Sequence, residues 1–126
     1  MITLVLADDQ PAVRAGLRMR LALENDIQII GAARDGNEAV YVAQRLHPDV
    51  VIMDLEMPVL DGLVATKELK RFAPETQVII LTIHDDETSR QKACEAGAAG
   101  FVSKHADDIV LLNAIRALAN HSNDSK

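Results

Sequence analysis

An open, parallel α/β sheet covered by helices on both faces is the fold class this sequence predicts. Three observations carry that prediction. Five short aliphatic runs are continuous rather than alternating, as strands buried on both faces should be. Longer helix-like stretches separate them, giving a βαβαβαβαβα order. The 126 residues suffice for one domain and not two.

The elements follow in order. The first run is Ile2 to Ala7. Pro11 then sits where a first helical turn tolerates it, and Val13, Leu17 and Leu21 recur at i, i+4 and i+8. Gln28 to Ala33 is the second run. Asp35 with Glu38 three residues on matches a capping box, ahead of a stripe of Ala39, Val42, Ala43 and Leu46 that Pro48 ends. After the third run, Val50 to Met53, Ala65, Leu69 and Phe72 mark a helix halted before Pro74. Val78 to Leu81 is the fourth run. The stretch over residues 85–98 contains no Val, Leu, Ile, Met or Phe, so its helix gains little from packing and is expected to be the most mobile. Its acidic start, residues 85–87, reads as a cap, and Cys94 as a small buried apolar residue. Gly100 to Val102 is the fifth run, and Asp107 is placed to cap a last helix carrying Leu111, Ala114, Ile115 and Leu118. The apolar run Ile109 to Leu112 is wider than one core-facing stripe, which leaves two readings open: a dimer or partner face, or extra core contact. A domain over residues 1–120 is expected, with 121–126 a polar tail or the start of a linker.

Composition narrows the function. Aromatic residues make up only 2%, so the core must be packed from aliphatic side chains and Met. A net charge of −6 without a basic block counts against this segment itself holding nucleic acid. One cysteine excludes an internal disulfide and a cysteine-built zinc site, and fits a reducing compartment. No apolar run approaches the ~20 residues of a membrane span, and the start MITLVLADD shows no signal peptide, so a cytoplasmic protein is expected.

In open α/β sheets, ligands bind beyond the carboxyl ends of the strands. The strand exits here are Asp8 and Asp9, Asp54, Thr82, and Ser103 with Lys104, whereas the second strand ends in Arg34 and Asp35, a loop and a cap. Three carboxylates on one edge repel unless a cation sits among them, and oxygen-only ligation suits Mg²⁺ better than zinc. A metal, a free carboxylate, a hydroxyl and an ammonium form a set suited to phosphoryl transfer, in which an aspartate can itself be the acceptor. No Walker or dinucleotide-type glycine loop follows the first strand, which argues against a bound nucleotide. Singly, each residue has a bland reading: a helix cap for Asp8 and Asp9, a turn for Asp54, a strand position for Thr82, a solvated charge for Lys104. Their conjunction on one edge points to a site. His47, His84, His105 and His121 show no metal-ligand spacing and read as surface residues.

Asp8-Asp9 after the first strand, Asp54 in MDLEMPVLDG, Thr82 and Lys104 together resemble a bacterial two-component response-regulator receiver domain. The segments ADDQPAVRAGLR and AARDGNEAV are most like the NarL/FixJ subclass, whose receivers precede a LuxR-type helix-turn-helix domain. The resemblance implies a flavodoxin-like sheet of order 2-1-3-4-5. It implies a signalling switch rather than a turnover enzyme, with Mg²⁺-dependent phosphoryl acceptance and slow self-dephosphorylation as its catalysis. Asp54 would accept the phosphoryl group from a sensor histidine kinase. Asp9, Asp54 and the Glu56 backbone carbonyl would bind Mg²⁺, with Asp8 acting through water. Lys104 would pair with phosphoryl oxygens. Thr82 and Phe101 would be the switch residues of a face formed by the fourth helix, fifth strand and fifth helix, and Glu56 and His84 would tune phosphoryl lifetime. Further implied are a homodimer on phosphorylation, and DNA contact for transcription regulation only through a C-terminal domain not in this chain.

The sequence departs from the family pattern at several points. His105 replaces the usual Pro after the lysine, which puts the family's cis peptide in doubt. Phe101 lacks the hydroxyl of the commoner Tyr, and Gln10 stands where the subclass has His. The alternative reading is a pseudo-receiver that binds partners without phosphorylation. A phosphatase with a phospho-aspartate intermediate is disfavoured, since Glu56 is a weak candidate for its acid/base.

Overall fold

The computed structural model describes the backbone of residues 1–124 and the side chains of residues 1–119. Strands β1 (Ile2–Ala7), β2 (Ile27–Ala33), β3 (Val50–Met53), β4 (Gln77–Thr82) and β5 (Gly100–Ser103) alternate with helices α1 (Pro11–Leu21), α2 (Gly36–Leu46), α3 (Gly62–Phe72), α4 (Glu87–Ala96) and α5 (Asp108–Asp124). All four pairings are parallel, in the order β2-β1-β3-β4-β5. The expected class, order and helix count are all present.

Period-two alternation sends each strand's side chains to opposite layers. Leu4, Leu6, Val50, Ile52, Ile79 and Leu81 meet Leu17 and Leu21 of α1 and Leu111 and Ile115 of α5. Val5, Ala7, Val51, Met53, Val78 and Ile80 meet alanines of α2, α3 and α4, together with Leu69. The largest fully buried side chains are all aliphatic or Met, as the aromatic content required.

Helix starts follow local chemistry. The Asp35 carboxylate accepts from the Glu38 N–H at 2.8 Å, the Asp61 carboxylate from Val64 at 3.0 Å, and the Asp86 carboxylate from Ser89 at 3.1 Å. The acidic cap expected for α4 is therefore Asp86. α1 starts differently: Gln10 occupies the cap position without a side-chain bond, which frees Asp8 and Asp9 from that duty.

Several details differ from expectation. Cys94 is exposed, because Ala93 and Ala96 carry the inward phase of α4 and residue 94 lies a third of a turn away. Phe72 and Leu46 cap their stripes but stay exposed, Phe72 under the Arg71 guanidinium at 5.2 Å from the ring centre. In the run Ile109 to Leu112, Leu111 joins the core and Leu112 packs against it, while Ile109 and Val110 face outward. α5 continues to Asp124, through the first residues of the polar stretch expected as a tail. The backbone stays helical where no Pro or Gly stops it. Residues 125 and 126, the rest of that stretch, lie outside the described residues. Among the described residues, no helix is long and apolar enough to cross a membrane.

Candidate functional site

Parallel pairing places the carboxyl ends of the strands on one edge. Ala7 pairs with Met53, so the residues that follow, Asp8 and Asp54, emerge side by side. Thr82 pairs with Ser103, and the Lys104 N–H donates to the Thr82 carbonyl at 2.8 Å, holding the lysine beside the fourth strand's exit. Carboxylate oxygens of Asp8, Asp9 and Asp54 lie within 4.8 Å of one another. Lys104 Nζ donates to Asp8 Oδ2 at 2.9 Å and stands 3.4 Å from Asp54 Oδ2. The anionic cluster and its lysine, inferred from separate strand ends, are thus one site.

Asp8 organises the cluster. It is buried, and its other oxygen accepts the Gln10 N–H at 2.9 Å while its backbone carbonyl accepts Arg14 Nη1 at 2.6 Å. Asp54 lies at the floor of a cleft of about 760 Å³, which Asp9, Gln10, Glu56, Pro58, His84 and Lys104 also line. Only 9% of Asp54 is exposed. Burial pushes its carboxyl above the ordinary range, the Lys104 charge pulls it down, and the Asp8 charge adds to the rise, leaving the net shift upward. Burial alone would lower Lys104. The Asp8 hydrogen bond and the charges of Asp54 and Asp8 outweigh it, so the ammonium is held above the ordinary lysine range. One lysine against three carboxylates leaves the cleft anionic, and the oxygen-only donor set fits a hard divalent cation.

The connection from β3 to α3 is held rigidly. A Cβ on Gly62 would fall 2.0 Å from the Asp54 carbonyl oxygen, so the helix can start this close to the end of β3 only at a glycine. Thr82 is fully buried, and its hydroxyl accepts the His84 N–H at 3.1 Å. His84 Nε2 lies 2.5 Å from Glu56 Oε1 across the cleft mouth, off the line of a good hydrogen bond, so the contact is a close polar pair rather than an aligned bond. No peptide bond among the described residues is cis, and Lys104–His105 is trans.

Two contributors were not visible in the sequence. Arg14, in the first turn of α1, donates back to the Asp8 carbonyl six residues earlier. Arg90 of α4 sets its guanidinium 4.6 Å from the centre of the half-buried Phe101 ring, a cation–π contact that anchors a ring with no hydroxyl. Each pairs residues from different elements, and no local motif announces such a contact.

A family model for the response regulator receiver domain matches residues 4–116. The oxygen regulatory protein NreC of Staphylococcus haemolyticus is 40% identical over 116 residues, covering 91% of this chain and 54% of that protein. A LuxR-family two-component response regulator from Aurantimonas sp. SI85-9A1 superposes with a TM-score of 0.90 at 33% identity, over 94% of this chain and 85% of that one. RcsB from Salmonella enterica serovar Typhimurium, solved bound to promoter rprA in the presence of phosphomimetic BeF3-, superposes at 0.85 with 27% identity, over 94% of this chain and 98% of that one. The chain spans about half the length of the curated relatives it matches. An acidic, lysine-bridged cleft on this sheet order, matched along nearly the whole chain, makes this protein a member of the response regulator receiver domain family, close to the LuxR/NarL-type transcription regulators.

Proposed function

We propose that Asp54 accepts a phosphoryl group from a phosphohistidine on a sensor kinase and that this chain is thereby a phosphorylation-controlled switch. The observation that carries the reading is the bridging of Lys104 to both Asp8 and Asp54 inside one carboxylate cluster. Asp9, Asp54 and the Glu56 backbone carbonyl would hold Mg²⁺, with Asp8 contributing through water. When bound, the ion neutralises charge on the transferring group. An Asp54 carboxylate oxygen forms the new bond to phosphorus as the P–N bond breaks and the imidazole leaves with the electron pair. Lys104 lies where it would pair with a phosphoryl oxygen.

The Thr82 hydroxyl, now accepting from the His84 N–H, would exchange that bond for a phosphoryl oxygen, and Phe101 would turn inward behind it. That turn breaks the Arg90 contact and so couples α4 to the site. Glu56 and His84, paired over the cleft mouth, would set how readily water reaches the phosphoryl group. Downstream, the altered α4–β5–α5 face would act on a DNA-binding domain or on a second copy of the chain. The half-length match to longer relatives supports the first of these.

Mg²⁺ with acetyl phosphate should label the chain once, read by intact mass, and Asp54→Asn should remove the label. Labelling that survives the substitution refutes Asp54 as acceptor. A chain that takes up no label is a partner-binding module instead.

A further inference from the structure

We propose that Arg14 is a positioning residue for the divalent cation: its guanidinium holds the peptide joining Asp8 to Asp9 and so aims the Asp9 carboxylate at the ion. This rests on the reading that Asp9 and Asp54 hold Mg²⁺, and it names the side chain on which the fit of that ion depends.

The three residues Asp8 to Gln10 lead from β1 into α1, and the chain bends at Asp9. Asp8 is tied at every polar group. Its N–H donates to the Ala33 carbonyl at 3.0 Å, one carboxylate oxygen accepts the Gln10 N–H at 2.9 Å, and the other accepts Lys104 Nζ at 2.9 Å. These bonds keep Asp8 in place with or without Arg14. The remaining group, the Asp8 carbonyl, accepts Arg14 Nη1 at 2.6 Å, a short bond from a charged donor.

Asp9 is held differently. It is exposed, and among the described residues its carboxylate accepts no hydrogen bond and forms no ion pair. Its direction is therefore inherited from the backbone, through the plane of the peptide between Asp8 and Asp9. Among the described residues, the Arg14 bond is the one hydrogen bond made on that peptide, since the Asp9 N–H has no partner. Arg14 is itself well anchored: it is half-buried, and its N–H donates to the Gln10 carbonyl at 3.2 Å.

Holding a peptide and supplying a charge have opposite consequences here. The side-chain charges that move Asp54 are those of Lys104 and Asp8, and Arg14 does not line the cleft. A guanidinium acting by its charge repels a cation, so removing it would tighten every divalent ion. A guanidinium acting by its hydrogen bond does the reverse, and selectively. Mg²⁺ demands near-ideal octahedral ligation, whereas Ca²⁺ accepts longer bonds and irregular coordination. Freeing the direction of Asp9 thus costs Mg²⁺ more than Ca²⁺.

The test measures Mg²⁺ and Ca²⁺ dissociation constants of the full chain by isothermal titration calorimetry, well below each variant's melting point in EDTA. Arg14→Met keeps an unbranched stem and removes the donor. It should weaken Mg²⁺ about tenfold, the usual worth of a group that orients a metal ligand, and weaken Ca²⁺ by less. Arg14→Gln, too short to reach the carbonyl, should do the same and serves if the Met variant does not fold. Arg14→Lys retains one donor, enough for one carbonyl, and should bind Mg²⁺ nearly as the wild type does. Half-maximal labelling by acetyl phosphate should need more Mg²⁺ in the Met and Gln variants. Mg²⁺ binding that is unchanged or tighter in those variants overturns the proposal, as does an equal loss for both ions. A wild-type chain that binds neither ion overturns the reading of the metal site, and the role of Arg14 falls with it.

Discussion

The two edges of this sheet use the same residue type in opposite ways. At the amino edge, the Asp49 carboxylate accepts the Thr3 N–H at 2.9 Å and its hydroxyl at 3.2 Å, while the Asp49 N–H returns a bond to Thr3 Oγ1 at 2.9 Å. Asp26 and Glu24 share Arg116, whose guanidinium holds the Asp26 carboxyl below the ordinary range. At the carboxyl edge, three aspartates crowd around one lysine and Asp54 is pushed the other way. Carboxylates at the amino edge are matched with donors, whereas those at the carboxyl edge are left short of positive charge. A hard divalent cation would meet that shortage under the reading proposed above.

The largest effect should come from supplying the missing charge. Saturating Mg²⁺ near 100 times its dissociation constant should stabilise the chain by about 2.7 kcal/mol in thermal melts, and Asp9→Ala should abolish the response. A chain whose melting is indifferent to Mg²⁺ would erase the contrast between the edges.

Next, Asp49→Ala should destabilise by about 1–3 kcal/mol in urea titrations, because it leaves the Thr3 N–H and hydroxyl unmatched, while the Mg²⁺ response survives. A lost Mg²⁺ response in that variant would mean that the edges are not independent.

The smallest effect sharpens the electrostatics. A carboxyl raised above 3.8 in the folded chain costs stability in full above its folded value, and that cost vanishes below 3.8. In EDTA, Asp54→Asn should therefore be more stable than wild type at neutral pH, and the advantage should shrink as pH falls toward 3.8. An advantage independent of pH would remove desolvated charge as its cause.

Much of this was legible in the linear chain. Runs such as Val50–Met53 are unbroken because parallel strands are buried on both faces, and that continuity reveals the fold class. The site was legible for a related reason: Asp8, Asp54 and Thr82 each follow an aliphatic run directly and Lys104 follows one after a single serine, so the strand that positions a residue also marks it. Helix phase was harder to read where the signal was thin. In α4, with only alanines to bury, the inward side could not be told from the outward one, and Cys94 lay on the other side from that expected.

Order along the chain thus specified the strands, the helices and the chemical groups at their ends, because those depend on periodicity and on neighbours a few residues apart. Packing alone decided the rest: the Arg90 guanidinium over Phe101, Glu56 meeting His84, and the close approach of Gly36 at the start of α2 to the Leu60 carbonyl. Each of these depends on distances between elements, which the chain acquires only once its sheet has closed and its helices have docked.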